Sequence, residues 1–160
     1  MWLNSSFPLI LFGLLIVSFI VPGTNGGSCP GGWMAYQNHC YGVFYEKLTW
    51  NAAEKECQSY NGHLASILSW AEADLVAWHI VSNYKRLGYV WIGLRDRWKV
   101  RQFRWADDSP VKYTAWTEFE PVFLTLSKYC VFLIDFKGYK EWSTASCQEP
   151  TAYLCKFMSS

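Results

Sequence analysis

"YVWIGL", Tyr89–Leu94, is a continuous apolar run of strand length, and the chain changes character where it begins. On its C-terminal side the sequence reads as short strands separated by polar turns. "QFRWA" alternates, "YCVFLIDF" is long and apolar, "GYKEWS" is short, and "AYLCKF" closes the chain. On its N-terminal side two helices are legible. Thr49 is an N-cap for "WNAAEKECQSY", where Trp50, Ala53, Cys57 and Tyr60 recur at helical spacing and Asn61-Gly62 supplies the stop. Cys57 therefore faces inward, where a disulfide could staple the helix to a sheet. Ser69 opens the second helix with the capping-box spacing Ser69 to Glu72. Val76 and Ile80 are its core positions, and Leu87-Gly88 lies near its exit. Helices followed by short strands give an α+β class. Trp105 to Cys130 has no sustained period and is too long for an ordinary connection, so it is a functional or self-packed loop.

Beyond these elements the ends set the compartment. No Lys, Arg, Asp or Glu precedes Glu46, and an apolar run extends from about Phe7 to Val21. It is short of the roughly 20 residues that span a bilayer, and small Thr24 and Gly26 suit a signal-peptidase site. Residues 1–26 therefore read as a signal peptide and 27–160 as one secreted, extracellular domain without a membrane span; an uncleaved anchor is the other reading. The one Asn-x-Ser sequon, Asn4-Ser5-Ser6, leaves with the signal. All six cysteines lie in the mature part, and an even count in a secreted chain is a disulfide framework with 15 possible pairings and none left over for an interchain bond. Zinc is excluded by spacing, since no close Cys pair occurs and His39, His63 and His79 are scattered. A net charge of +1 identifies no partner and disfavours nucleic acid, whereas 19% aromatics exceed ordinary usage and imply core packing plus a few surface rings.

These pieces resemble the C-type lectin-like domain. The resemblance rests on "CPGGWMAYQNHCY" as an N-terminal hairpin, "LTWNAAEKEC" and "GHLASI" at and after the first helix, "VWIGL" as the central strand, "EP" in the long loop and the closing "C...YLCKF". Six cysteines with the hairpin look like the long form, closest to regenerating-islet (Reg) and eggshell-matrix lectins and then to venom C-type lectins. The resemblance implies two helices with short antiparallel sheets and a long loop. It implies the disulfides Cys29–Cys40, Cys57–Cys155 and Cys130–Cys147, and core roles for Trp50, Trp91, Trp105 and Trp142.

In sugar-binding members, calcium is held by a Glu-Pro-Asn type motif, a Glu before the loop cysteine and an Asn-Asp pair after a strand tryptophan. The matching positions here are Glu120, Pro121 and Val122, then Lys128, then Ser143 and Thr144 after Trp142. One of the five ligand side chains survives, against the roughly six to eight oxygens calcium needs, and an ammonium stands where a carboxylate belongs. The metal site is read as vestigial, no cofactor is expected, and Lys128 is expected to pair with Glu120. Glu120 and Asp135 are otherwise read as solvated or ion-paired, and His63 as a turn residue. Neither Gly-x-Ser-x-Gly nor a cysteine outside the framework is present, so no catalytic residue is assigned and the chain reads as non-enzymatic.

"RDRWKVRQFR" departs from this pattern. Arg95, Arg97, Lys99 and Arg101 are spaced by two and joined by Arg104, with Asp96 alone in opposition. An extended segment would place them on one side of a hairpin, either as a solvated edge or as a ridge carrying Trp98. Arg97, Trp98, Lys99 and Arg101 are the candidate ligand-binding residues, for a glycan or a sulfated, anionic surface. The alternatives are a protein-interaction or matrix and mineral-associated protein, and a conventional calcium-dependent lectin.

Overall fold

The computed structural model describes residues 28–96, 102–121 and 129–160. Its strands are β1 (Met34–Tyr36), β2 (His39–Leu48), β3 (His63–Leu64), β4 (Val90–Arg95), β5 (Arg104–Trp105), β6 (Cys130–Leu133), β7 (Trp142–Ala145) and β8 (Thr151–Met158). The helices are α1 (Trp50–Ser59) and α2 (Trp70–Asn83), with a 3-10 turn at Asp135–Lys137. The strands form one eight-stranded sheet in the order β1-β2-β8-β4-β6-β7, with β3 beside β8 and β5 beside β4. Their pairings are antiparallel except that of β4 with β8, which is parallel and gives a mixed sheet.

Alternation along the central strands sorts the core into two layers. Val90, Ile92, Val131, Leu133 and Leu154 pack with Val76, Ala77 and Ile80 of α2. Trp91, Phe132, Tyr153 and Cys155 face the other way, against Trp50, Ala53 and Cys57 of α1. Both faces of β4 are thus covered, which is why "VWIGL" is apolar throughout. Gly93 has a reason of its own: a Cβ there would lie 2.3 Å from the Leu64 carbonyl oxygen, and its N–H donates to Ala65 O at 2.9 Å. Close approach of the end of β3 requires the glycine. Trp50, Trp91, Trp105 and Trp142 are all buried, as the resemblance implies.

Both helix starts follow from local chemistry. Thr49 accepts from Ala52 N, and Ser69 accepts from Glu72 N at 3.2 Å. The Glu72 carboxylate, however, reaches back to Leu68 N at 2.7 Å, one residue beyond its partner in a capping box. It is pulled there because its other oxygen accepts from Tyr41 Oη at 2.5 Å and from buried Lys156 Nζ at 2.6 Å. Two expectations need adjustment. Tyr60 is not a core residue: α1 ends at Ser59, and the exposed Tyr60 ring packs against Trp33 and Phe44. The second helix ends at Asn83, so buried Leu87 and Gly88, at φ +75, belong to the turn into β4.

The disulfides join Cys29 to Cys40, Cys57 to Cys155 and Cys130 to Cys147, the pairing implied by the resemblance, and no free cysteine remains. Cys57–Cys155 bridges 98 residues and fastens α1 to β8. Among the described residues no helix is long and apolar enough to cross a membrane. The proposed signal peptide lies outside the described residues.

Candidate functional site

Edge strand β7 carries the long loop. Trp142 N donates to Ala115 O at 2.7 Å and Thr117 N donates to Trp142 O at 3.0 Å, which extends the edge by a parallel bridge at Trp116. Glu120 N then donates to Thr117 O at 3.1 Å, turning the chain back toward the strand, and the Glu120–Pro121 peptide is cis. Glu120 is thereby brought against β7. Ser143 Oγ donates to its Oε1 and Thr144 Oγ1 to its Oε2, each at 2.7 Å. Successive residues of a strand point to opposite faces, so one carboxylate reached by both hydroxyls must straddle the strand edge. The fork closes the loop on the sheet with two charge-assisted hydrogen bonds, of the order of 1.5–3 kcal/mol each before exposure is discounted.

This arrangement tests the metal implied by the fold. Calcium wants about six to eight oxygens with several carboxylates. Here one carboxylate meets two neutral hydroxyls, and each hydroxyl spends its proton on that carboxylate. The set does not fit the ion, and among the described residues no group of three or more His, Cys, Asp or Glu could hold a metal. Ser143 and Thr144 are therefore partners of Glu120, which is neither merely solvated nor left to an ion pair alone. Val122 and Lys128 lie outside the described residues, as does the expected Lys128 to Glu120 pair. Asp135 is exposed and accepts from Phe136 N at 2.7 Å.

Beside the fork, the sheet surface opens into a cleft of about 550 Å³ bordered by Tyr89, Phe132, Ser143, Thr144 and Glu149. A smaller one of about 130 Å³ shares Tyr89, Phe132 and Ser143 and adds Thr117 and Phe136. The Tyr89 and Phe132 rings lie 4.5 Å apart between centroids.

The basic segment is described only at its ends, since Arg97, Trp98, Lys99 and Arg101 lie outside the described residues. Arg95 and Arg104 stand opposite each other where β4 pairs with β5, so two like charges face across the base of the segment. The Arg95 guanidinium sits 4.2 Å from the Trp50 ring centroid and donates to Asn51 Oδ1 at 2.7 Å, and both arginines line a cleft of about 260 Å³ over α1. Asp96, read as a counter-charge, is buried, and its N–H donates to Tyr129 O at 2.9 Å.

His63 is not a turn residue. It sits in β3, with Nδ1 at 2.6 Å from Glu54 Oε1 on α1, while Glu54 Oε2 accepts from Leu64 N at 2.8 Å. Sequence reasoning also missed the buried Lys156, Glu72, Tyr41 and Ser66 cluster, because its members are far apart in the chain. The "SWAE" motif places Glu72 but gives no hint of Lys156.

A mixed sheet stapled by three disulfides, a helix on each face and a long loop returned to the edge strand define a C-type lectin-like fold, a class of recognition domain. The chain belongs to the lectin C-type domain family, whose model matches residues 46–157. It is 41% identical over 146 residues to a C-type lectin of the lectoxin group from Thrasops jacksonii, covering 90% of this chain and 92% of that one. It is 41% identical over 155 residues to one of the chains of the Snaclec coagulation factor IX/factor X-binding protein of Gloydius halys, covering 94% and 97%. The structure of human lithostathine superposes with a TM-score of 0.78 at 34% identity, over 81% of this chain and 99% of that chain.

Proposed function

We propose that the protein is a secreted, non-enzymatic recognition module that binds glycans or other anionic surfaces without calcium, through Arg97, Trp98, Lys99 and Arg101. The observation that carries the calcium-independent part is the Glu120 carboxylate, both of whose oxygens accept from strand hydroxyls. The position of the ligand site is supported by Arg95 and Arg104, whose two like charges flank the basic segment and favour an anion between or beyond them. Secretion is supported by the leader-like residues 1–26 and by three disulfides, which persist in oxidising compartments.

A glycan array probed with and without chelator tests the reading. Binding to sulfated chains is expected to survive chelation and to weaken as salt rises. Replacing Arg97, Lys99 and Arg101 by Ser should move elution from a heparin column to markedly lower salt; elution with the parent would return the segment to a solvated edge. A protein ligand is the second reading, favoured by the 41% identity to a chain named as part of a coagulation-factor-binding protein. It calls for a pull-down from plasma in which sulfated glycan does not compete.

A further inference from the structure

Helix α2 is apolar on both sides. Ala73, Val76, Ala77 and Ile80 are buried against the sheet, yet outward-facing Trp70 is 71% exposed, Trp78 64%, Val81 59% and Leu75 39%. Its two charges do not face water alone: Glu72 is buried on Lys156, and Asp74 Oδ1 accepts from Lys140 Nζ at 2.5 Å. A helix hydrophobic all round is one that is covered on all sides, and among the described residues only one side is. Taking two indoles of up to ~250 Å² each with the two aliphatic side chains, the uncovered apolar area is roughly 450 Å², within the ~300–600 Å² of a monomer's largest patch, which is often a functional one.

We propose that this face docks on a lipid surface, with α2 lying in the plane of the headgroups. Three observations choose that occupant. Trp70 and Trp78 are eight residues apart on one side of the helix, about 12 Å along its axis, so both rings can enter the same plane. Tryptophan, with an apolar body and one N–H, is suited to the boundary between headgroups and acyl chains. Exposed Lys85 and Arg86 follow the helix directly, and the one acid on the stripe is neutralised by Lys140, so the rim is basic and complements phosphate-bearing headgroups.

Flotation of the full folded protein with phosphatidylcholine vesicles, with and without phosphatidylserine, tests the proposal. The parent should float with the mixed vesicles. Trp70→Ala/Trp78→Ala should lower that partition by about tenfold or more, since most of the apolar area is gone. Lys85→Ser/Arg86→Ser should reduce binding to the level seen on phosphatidylcholine alone. Brominated phosphatidylcholine should quench indole fluorescence of the unmodified protein, which reads the same contact without any substitution. A parent that neither floats nor is quenched, or a double tryptophan variant that floats as the parent does, overturns the proposal. Self-association in sedimentation that is lost in that variant, without flotation, also overturns it and assigns the face to a second copy.

Discussion

Lys156→Met removes a cation from the interior and leaves its partner in place. Lys156 Nζ donates to Glu72 Oε1 at 2.6 Å and to Ser66 O and Oγ at 3.1 and 3.3 Å, so its three protons are all used. The two side chains are 7% and 5% exposed. Without the ammonium, Glu72 keeps the Tyr41 hydroxyl and the Leu68 N–H but loses its counter-charge, and breaking such a buried pair costs about 3–5 kcal/mol. Unfolding entropy near 2.1 cal/mol/K per residue over roughly 130 residues is about 0.27 kcal/mol/K, so Tm should fall by ~10–20 °C. Calorimetry with urea titration reads both quantities. Adding Glu72→Gln removes the stranded charge and keeps an amide oxygen for Tyr41 or Leu68, so the double variant should recover about 1–3 kcal/mol. A single variant that loses less than about 1 kcal/mol, or a double variant no better than the single, would refute the reasoning.

Loop closure sets the order of the disulfides. Cys57→Ala/Cys155→Ala opens a 98-residue span and should cost about 2–5 kcal/mol, more than Cys29→Ala/Cys40→Ala, which opens 11; equal losses in urea melts would contradict this. His79 accepts from the Asn83 amide at 3.2 Å, its Nε2 is buried with no partner among the described residues, and burial lowers its pKa. The neutral ring is the folded form, so its stability is fully present above the unfolded pKa of about 6.5 and declines as pH falls below it. The loss of Tm on going from neutral to acid pH should therefore be smaller in His79→Leu, and an unchanged pH slope would discount the residue.

Short-range chemistry was the legible part of the chain. Thr49 and Ser69 cap α1 and α2 as their spacing indicates, and Val76 and Ile80 are core because i and i+4 share a face. Contacts between distant segments left no local trace. Glu72 reads as half of a capping box, but a lysine 84 positions later draws its carboxylate away. His63 beside Gly62 reads as a turn because its partner, Glu54, lies on the previous helix. The resemblance placed Glu120, Ser143 and Thr144 in one region, and the residue types predicted failure with calcium. That the hydroxyls would take the carboxylate for themselves required the loop to fold onto the edge of β7. The outward tryptophans of α2 were visible as letters, yet nothing in a one-dimensional pattern tells a covered apolar face from an uncovered one.

The claim that the long loop is closed by hydrogen bonds in place of calcium is tested most directly by thermal melts in millimolar calcium and in chelator, with Glu120→Gln alongside. A ligand that does not bind the native state cannot raise its melting temperature. The parent should melt at the same temperature in both media. Glu120→Gln should melt slightly lower in both, because a neutral amide accepts the Ser143 and Thr144 protons less strongly than a carboxylate does. A saturable upward shift with calcium that disappears in Glu120→Gln would contradict it.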